Sequence, residues 1–206
     1  MDMHTVPVND FMKQLSSKAP VPGGGGASAL IGAVGVSLCS MVANLTSGKK
    51  KYAEYQHDLE MILSRTQESI DRLLKLIDKD AEVFEPLSAA YGIPKEDPNR
   101  DAVLEQALVA ACSVPMEILK EVSEILDVIV QLMVKGTRLA ISDVGVAASA
   151  LRCAMESAIL NIYINTKLMR DREYAQKTNM EAQRILSAGV KTCEQVYRQV
   201  SDGLMG

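Results

Sequence analysis

From Ala19 to Gly48 the chain carries no charged residue, and no other feature limits its fold as much. A run of that length can in principle cross a bilayer, which takes ~20 apolar residues. Its content points elsewhere. Pro20, Pro22 and the glycines Gly23, Gly24, Gly25 and Gly26 fill its first third. Ser28, Ser37, Ser40 and Asn44 interrupt the remainder, and small residues outnumber large apolar ones. A helix of this kind fits the centre of a bundle, where small side chains let neighbours approach closely, better than it fits lipid. No membrane partner is expected.

Helical periodicity runs through the rest of the chain, and no stretch alternates as a strand does. A short first helix is expected over about Val8 to Ser17, burying Phe11 and Leu15. A glycine-rich loop over Ala19 to Gly26 precedes the second helix, which ends near Asn44 or Leu45 with Gly48 as its cap. A long third helix begins near Tyr52 on the stripe Leu59, Ile62, Ile70, Leu73, Ile77 and Phe84, and Pro86 kinks or ends it. Asp97-Pro98 opens a fourth helix that Pro115 interrupts. Past Pro115, Leu119, Val122, Leu126, Ile129 and Met133 keep the spacing of a bundle helix. A fifth helix covers about Leu139 to Lys167 and a sixth about Glu173 to Val200. The fold class expected is all-α: an up-and-down bundle of about six helices, one domain over residues 1–206, with the glycine-rich loop before the second helix.

Charge narrows the partners. With 22 basic against 26 acidic side chains the net charge is −4, whereas a surface that tracks phosphates needs a basic excess. Nucleic acid is therefore not expected. His4 and His57 are the only histidines, and Cys39, Cys112, Cys153 and Cys193 form no C-x-x-C pair. No metal site is expected, and the cysteines read as core residues of a reduced, cytoplasmic protein. No secretory leader is visible.

Three places could carry chemistry. Gly24-x-Gly26-x-x-Ala29 matches a dinucleotide fingerprint in letters only, because Pro20-Val21-Pro22 is no strand. A P-loop fails too, with Ala43 where the motif needs glycine. What survives is a backbone that ligands can approach closely, at a helix N-terminus. Two glycines would suffice for a tight turn between helices; four after two prolines favour a ligand site. Asp80 shares a helical stripe with Leu73, Ile77, Phe84 and Leu87, where an unpaired carboxylate is costly and its pKa rises. It reads either as a proton-transfer group or as a stripe-edge acid that pairs with a lysine or caps a neighbouring helix. Asp143 is the only acid between Leu139 and Leu151, followed on its face by Ala147, Ala150, Ala154, Ala158, Asn161 and Asn165. That seam suits a close helix crossing or a flat ligand. At ~1.5 Å per residue Asp143 and Asn161 lie about 27 Å apart, so they serve two sites or one site at a subunit interface. Lys49, Lys50 and Lys51 suit a helix C-terminus, or the attraction of a polyanionic tail.

In order along the chain stand Pro22-Gly23-Gly24-Gly25, Met41-Val42, Leu45-Thr46, Gly48-Lys49, and Asp78-Lys79-Asp80-Ala81-Glu82-Val83-Phe84. Ser113-Val114-Pro115, Ser142-Asp143 with Val146-Ala147-Ala148, and Asn161-Ile162-Tyr163-Ile164-Asn165 follow. With these, the whole chain resembles the cyclodeaminase/cyclohydrolase family: the cyclodeaminase half of bifunctional formiminotransferase-cyclodeaminase and the stand-alone bacterial methenyltetrahydrofolate cyclohydrolases. Two positions depart from its pattern: Gly26, often serine in the family, and Gly136-Thr137, often Gly-Asn. The resemblance implies an all-helical homodimer acting on a reduced folate without metal or redox cofactor. The expected reaction is hydrolysis of 5,10-methenyltetrahydrofolate to 10-formyltetrahydrofolate, with formiminotetrahydrofolate cyclodeamination as the alternative. In this reading Asp143 is the principal acid/base, and Asp80 sets its protonation or holds the pterin. Pro22, Gly23, Gly24, Gly25, Gly26, Asn161 and Asn165 receive the ligand, while Lys49 and Lys50 face its glutamate tail. Both carboxylates are expected to be held out of water. A non-catalytic helical dimerisation module is the rival from another class.

Overall fold

The computed structural model describes residues 2–206, and among them all regular structure is helical. A short 3-10 turn, Met3–Thr5, leads into α1 (Val8–Leu15); α2 (Gly24–Thr46) and a 3-10 segment, Lys50–Tyr55, follow. The remaining α-helices are α3 (Gln56–Tyr91), α4 (Arg100–Lys135), α5 (Ile141–Leu168) and α6 (Arg172–Met205). Sequence neighbours α3 to α6 pack pairwise, and α2 lies against α3, α4 and α5. This is the up-and-down arrangement expected of long helices with short connections.

Small residues let α2 sit that deep. A Cβ on Gly35 would fall 2.8 Å from Leu151 Cγ of α5, and one on Gly32 would fall 3.2 Å from Val122 Cγ2 of α4. Ala29, Ala33, Ala147, Ala154 and Ala158 are buried at these crossings, so the alanine seam of α5 is taken up largely by helix packing. α2 and α4 both have the length and apolar composition to cross a membrane, but about half of each apolar window is buried inside the bundle. Across α3 and α4, Arg65 pairs with Asp127 at 2.7 Å, Arg72 with Glu121 at 2.8 Å and Lys79 with Glu117 at 2.6 Å. Seven-residue steps on α3 meet an acid on α4 each time, which fixes the antiparallel register.

Several boundaries differ from expectation. Gly24, Gly25 and Gly26 are not loop: they form the first turn of α2, and Gly23 is its N-cap. α1 stops at Leu15, α3 starts at Gln56 after the 3-10 segment, and α4 starts at Arg100 rather than at Asp97. Asp97 instead accepts the Asn99 N–H at 2.8 Å in the turn before the helix. α6 runs on to Met205. Pro86 lies within α3 without ending it.

Pro115 does not interrupt α4 either. A proline has no N–H for the carbonyl one turn back, here that of Ala111. Asn165 of α5 fills the gap, its Nδ2 donating to the Ala111 oxygen at 3.2 Å. Gly48 meets expectation, with a φ of +74° just beyond α2 that glycine alone adopts without strain.

Candidate active site

The candidate residues gather at opposite ends of α2. At its N-terminus, the Asp80 carboxylate reaches from α3 and accepts the Gly26 N–H on Oδ2 at 2.9 Å. A Cβ on Gly25 would lie 2.6 Å from Asp80 Oδ2 and closer still to Oδ1, so only glycine admits the carboxylate here. On the other side of the turn, a Cβ on Gly24 would lie 3.0 Å from Asn161 Oδ1. Pro22 is buried beneath, 3.4 Å from where a Gly26 Cβ would stand. Glycine in a helix costs about 1 kcal/mol relative to alanine. At Gly24 and Gly25 that cost is explained by what approaches them, whereas a Cβ on Gly26 would meet only ordinary contacts.

Asp80 realises the stripe-edge alternative, since it caps a neighbouring helix, and it is desolvated as well. Burial pushes its carboxyl pKa up, and the Gly26 N–H pulls the other way more weakly. A carboxylate at a helix N-terminus is favoured by the dipole, yet here loss of water outweighs that help. Such a group can hold or release a proton closer to neutrality than an ordinary aspartate.

Asn161 anchors itself by donating to the Ser157 carbonyl at 3.0 Å, which leaves its amide oxygen directed at Gly24. Asn165 gives its amide hydrogens to the Ala111 and Asn161 carbonyls, so its visible task is to complete the backbone around Pro115. On the neighbouring face of α3, Asp78 pairs with the His4 ring and accepts the His4 N–H at 3.3 Å. That contact straps the N-terminal turn over α3. A groove of about 670 Å³ opens beside it, lined in part by Met3, Val21, Asp78 and Phe84. Asp80 does not line this groove, since residues two apart on a helix face different ways.

At the far end of α2 lie Lys49, Lys50 and Asp143. Lys49 Nζ donates to Thr137 Oγ1 at 3.3 Å, and the Thr137 N–H donates to Thr46 Oγ1 at 2.8 Å. Thr137, where the family often has asparagine, thus keeps a polar role. The Tyr52 hydroxyl accepts the Arg138 N–H at 3.3 Å. That bond, above all, lowers the phenol pKa, with Thr137 and the Lys51 and Lys49 charges adding to it. Tyr52 and Thr46 join this end of the site unforeseen: Thr46 stands in the Leu45-Thr46 stretch that carries the resemblance, and Tyr52 is marked in the sequence only by its closeness to Lys49. Asp143 occupies the first turn of α5 and is partly exposed, not enclosed in hydrocarbon as expected. It borders apolar neighbours in sequence, but at a helix start its side chain can reach water. The structure therefore brings Asp80, the glycine turn and Asn161 together, and leaves Asp143 about 27 Å from Asn161 along α5 and Lys49 and Lys50 beyond the other end of α2, a helix about 34 Å long. Among the described residues, no group of three His, Cys, Asp or Glu side chains is placed to hold a metal ion.

The family model described as formiminotransferase-cyclodeaminase matches residues 7–184. A methenyltetrahydrofolate cyclohydrolase of Methylorubrum extorquens is 38% identical, over 94% of this chain and 95% of that protein. The formimidoyltransferase-cyclodeaminase of Rattus norvegicus is 29% identical over 82% of this chain, which spans only 32% of that longer protein. A crystal structure of formiminotetrahydrofolate cyclodeaminase from Thermotoga maritima superposes with a TM-score of 0.88 at 28% identity, covering 98% of both chains. With that match over most of its length, the chain belongs to the formiminotransferase-cyclodeaminase family.

Proposed function

We propose that the protein is a folate one-carbon enzyme that hydrolyses 5,10-methenyltetrahydrofolate to 10-formyltetrahydrofolate. Full-length likeness to the Methylorubrum cyclohydrolase carries the reading, and the desolvated Asp80 beside the glycine turn supplies its chemistry. In this reaction water adds its oxygen to the amidinium carbon while a carboxylate takes one of its protons. The carboxyl group then returns a proton to N5 as the carbon–N5 bond breaks. Loss of the hydroxyl proton to solvent leaves the formyl group on N10. One water is consumed, one proton is released and no oxidation state changes, so no redox cofactor is called for. The metal-free character that the resemblance implies is part of the proposal.

Asp80 is the proposed acid/base at the glycine turn, with Asn161 and the α2 backbone receiving the pterin. Asp143 is the proposed second carboxylate, and Lys49 and Lys50 attract the glutamate tail. A positioned acid/base is worth ~10²–10⁴-fold in rate. The proposed setting is cytoplasmic and the proposed assembly a homodimer.

The second reading, cyclodeamination of formiminotetrahydrofolate with release of ammonia, is favoured by the match to the Thermotoga enzyme along almost the whole chain. Both substrates are assayed at the methenyl absorbance band. Hydrolysis consumes the band and cyclodeamination creates it. Turnover of neither substrate overturns both readings, leaving the helical dimerisation module.

A further inference from the structure

α4 and α5 pack against each other, and the residues buried on both are almost all apolar. Only two hydrogen bonds join the two helices among the described residues. Asn165 Nδ2 donates to the Ala111 carbonyl at 3.2 Å, and the Cys112 thiol donates weakly to the Ile162 carbonyl at 3.8 Å. Both link the turn of α4 just before Pro115 to the turn of α5 that opens at Asn161. Apolar contact has no preferred direction and lets one helix slide or turn on another, whereas a hydrogen bond holds a distance and an angle. Side-chain bonds from Tyr163 and Thr166 run to Gln183 and Asn179 of α6, so they tie α5 to its other neighbour and not to α4.

Pro115 makes this latch possible. A helical carbonyl is ordinarily filled by the N–H four residues on, and at Ala111 that N–H is missing. Ala111 is buried, so its oxygen needs a donor from within the protein. Asn165 supplies one hydrogen there and gives another to the Asn161 carbonyl at 2.9 Å. A single side chain thus reaches from α4 to the backbone of Asn161. The Asn161 amide oxygen in turn faces the first glycine of α2, at 3.0 Å from where a Gly24 Cβ would stand. Placement of this kind matters, since a shift of about 1 Å in a binding group can cost ~10²-fold.

We propose that Asn165 is a positioning residue: by bridging the carbonyl that Pro115 leaves free to the turn of α5 that opens at Asn161, it holds the Asn161 amide oxygen at the glycine turn. Its effect on substrate rests on the folate reading above; the placement of Asn161 does not.

The test compares Asn165→Leu made on a Pro115→Ala chain with Pro115→Ala alone. In both, a restored N–H fills the Ala111 carbonyl, so the comparison removes the latch without leaving an orphaned acceptor. Amide NMR signals of Gly24 and Gly25 are recorded on ligand-free protein well below both melting temperatures, and KM and kcat are measured on 5,10-methenyltetrahydrofolate. The expected result is that loss of Asn165 moves the glycine signals and raises KM roughly tenfold, the weight of one hydrogen bond. The value of kcat should hold within about twofold, because Asn161 meets the pterin alike in ground and transition states. Glycine signals that stay in place overturn the positioning role: with KM raised, Asn165 touches the ligand itself, and with KM unchanged it serves the fold alone. Moved signals with an unchanged KM overturn the link to substrate. If the wild-type protein turns over neither folate, the substrate reading falls, and the glycine signals alone decide the positioning.

Discussion

Asp80 and Gly25 occupy one space: the carboxylate stands where a Cβ on Gly25 would be, and from there it accepts the next N–H, that of Gly26. Replacing a helical glycine by alanine ordinarily stabilises by about 0.5–1 kcal/mol. At Gly25 the sign reverses, because the new methyl group displaces the carboxylate. Gly25→Ala is expected to cost about 1–3 kcal/mol, in the range of overpacked sites, and to depress turnover as strongly as loss of Asp80. Denaturant melts and steady-state rates of the same preparation check both effects.

The raised pKa of Asp80 fixes the sign of a pH dependence. Between the ordinary carboxyl value and the raised one, the folded state binds more protons than the unfolded state, so stability falls as pH rises through that window. Above it the full cost of the buried charge remains; below the ordinary value it is gone. Asp80→Asn keeps an oxygen for the Gly26 N–H and carries no charge. It is expected to melt at or above the wild-type temperature at neutral pH and to lose this pH dependence. A variant less stable than wild type at neutral pH contradicts the desolvation argument.

Asn165 and Pro115 predict a coupled pair. Asn165→Leu leaves the Ala111 carbonyl, buried and one turn before a proline, without its donor. The expected loss is about 1–3 kcal/mol, the cost of an unsatisfied buried acceptor. Adding Pro115→Ala restores a backbone N–H for that carbonyl, so the double variant should recover much of the loss. Additive effects would show that the two residues act independently.

These residues also mark how far the sequence could be read. Six helices and most of their buried stripes follow from apolar spacing: Leu59, Ile62, Leu73 and Ile77 on α3 are buried where the period puts them. Pro115 misled because the repair comes from Asn165, fifty residues on, and local pattern cannot see it. The glycines misled for a related reason. Their low helix propensity suggests a loop, while the tertiary approach of Asp80 and Asn161 makes a helical turn of them. Asp80 itself was legible as an acid on an apolar stripe. The partly exposed placement of Asp143 was not, because a helix start exposes a residue even when its neighbours are small or apolar.

The thiols should divide by burial. Cys39 and Cys193 are pushed up to about 12 and Cys112 to about 11, mainly by loss of water, while Cys153 is exposed. Only thiolate reacts. Folded protein is expected to show one fast thiol per chain with a disulfide reagent, lost in Cys153→Ser, and all four after denaturation.

Asp80 carries the catalytic proposal, and its removal tests it most directly. The rate of loss of the methenyl absorbance is compared for wild type and Asp80→Asn at equal enzyme concentration, with mass and melting temperature recorded alongside. A fall of ~10²-fold or more in an intact, folded variant is the predicted result. Turnover within a few-fold of wild type would contradict it.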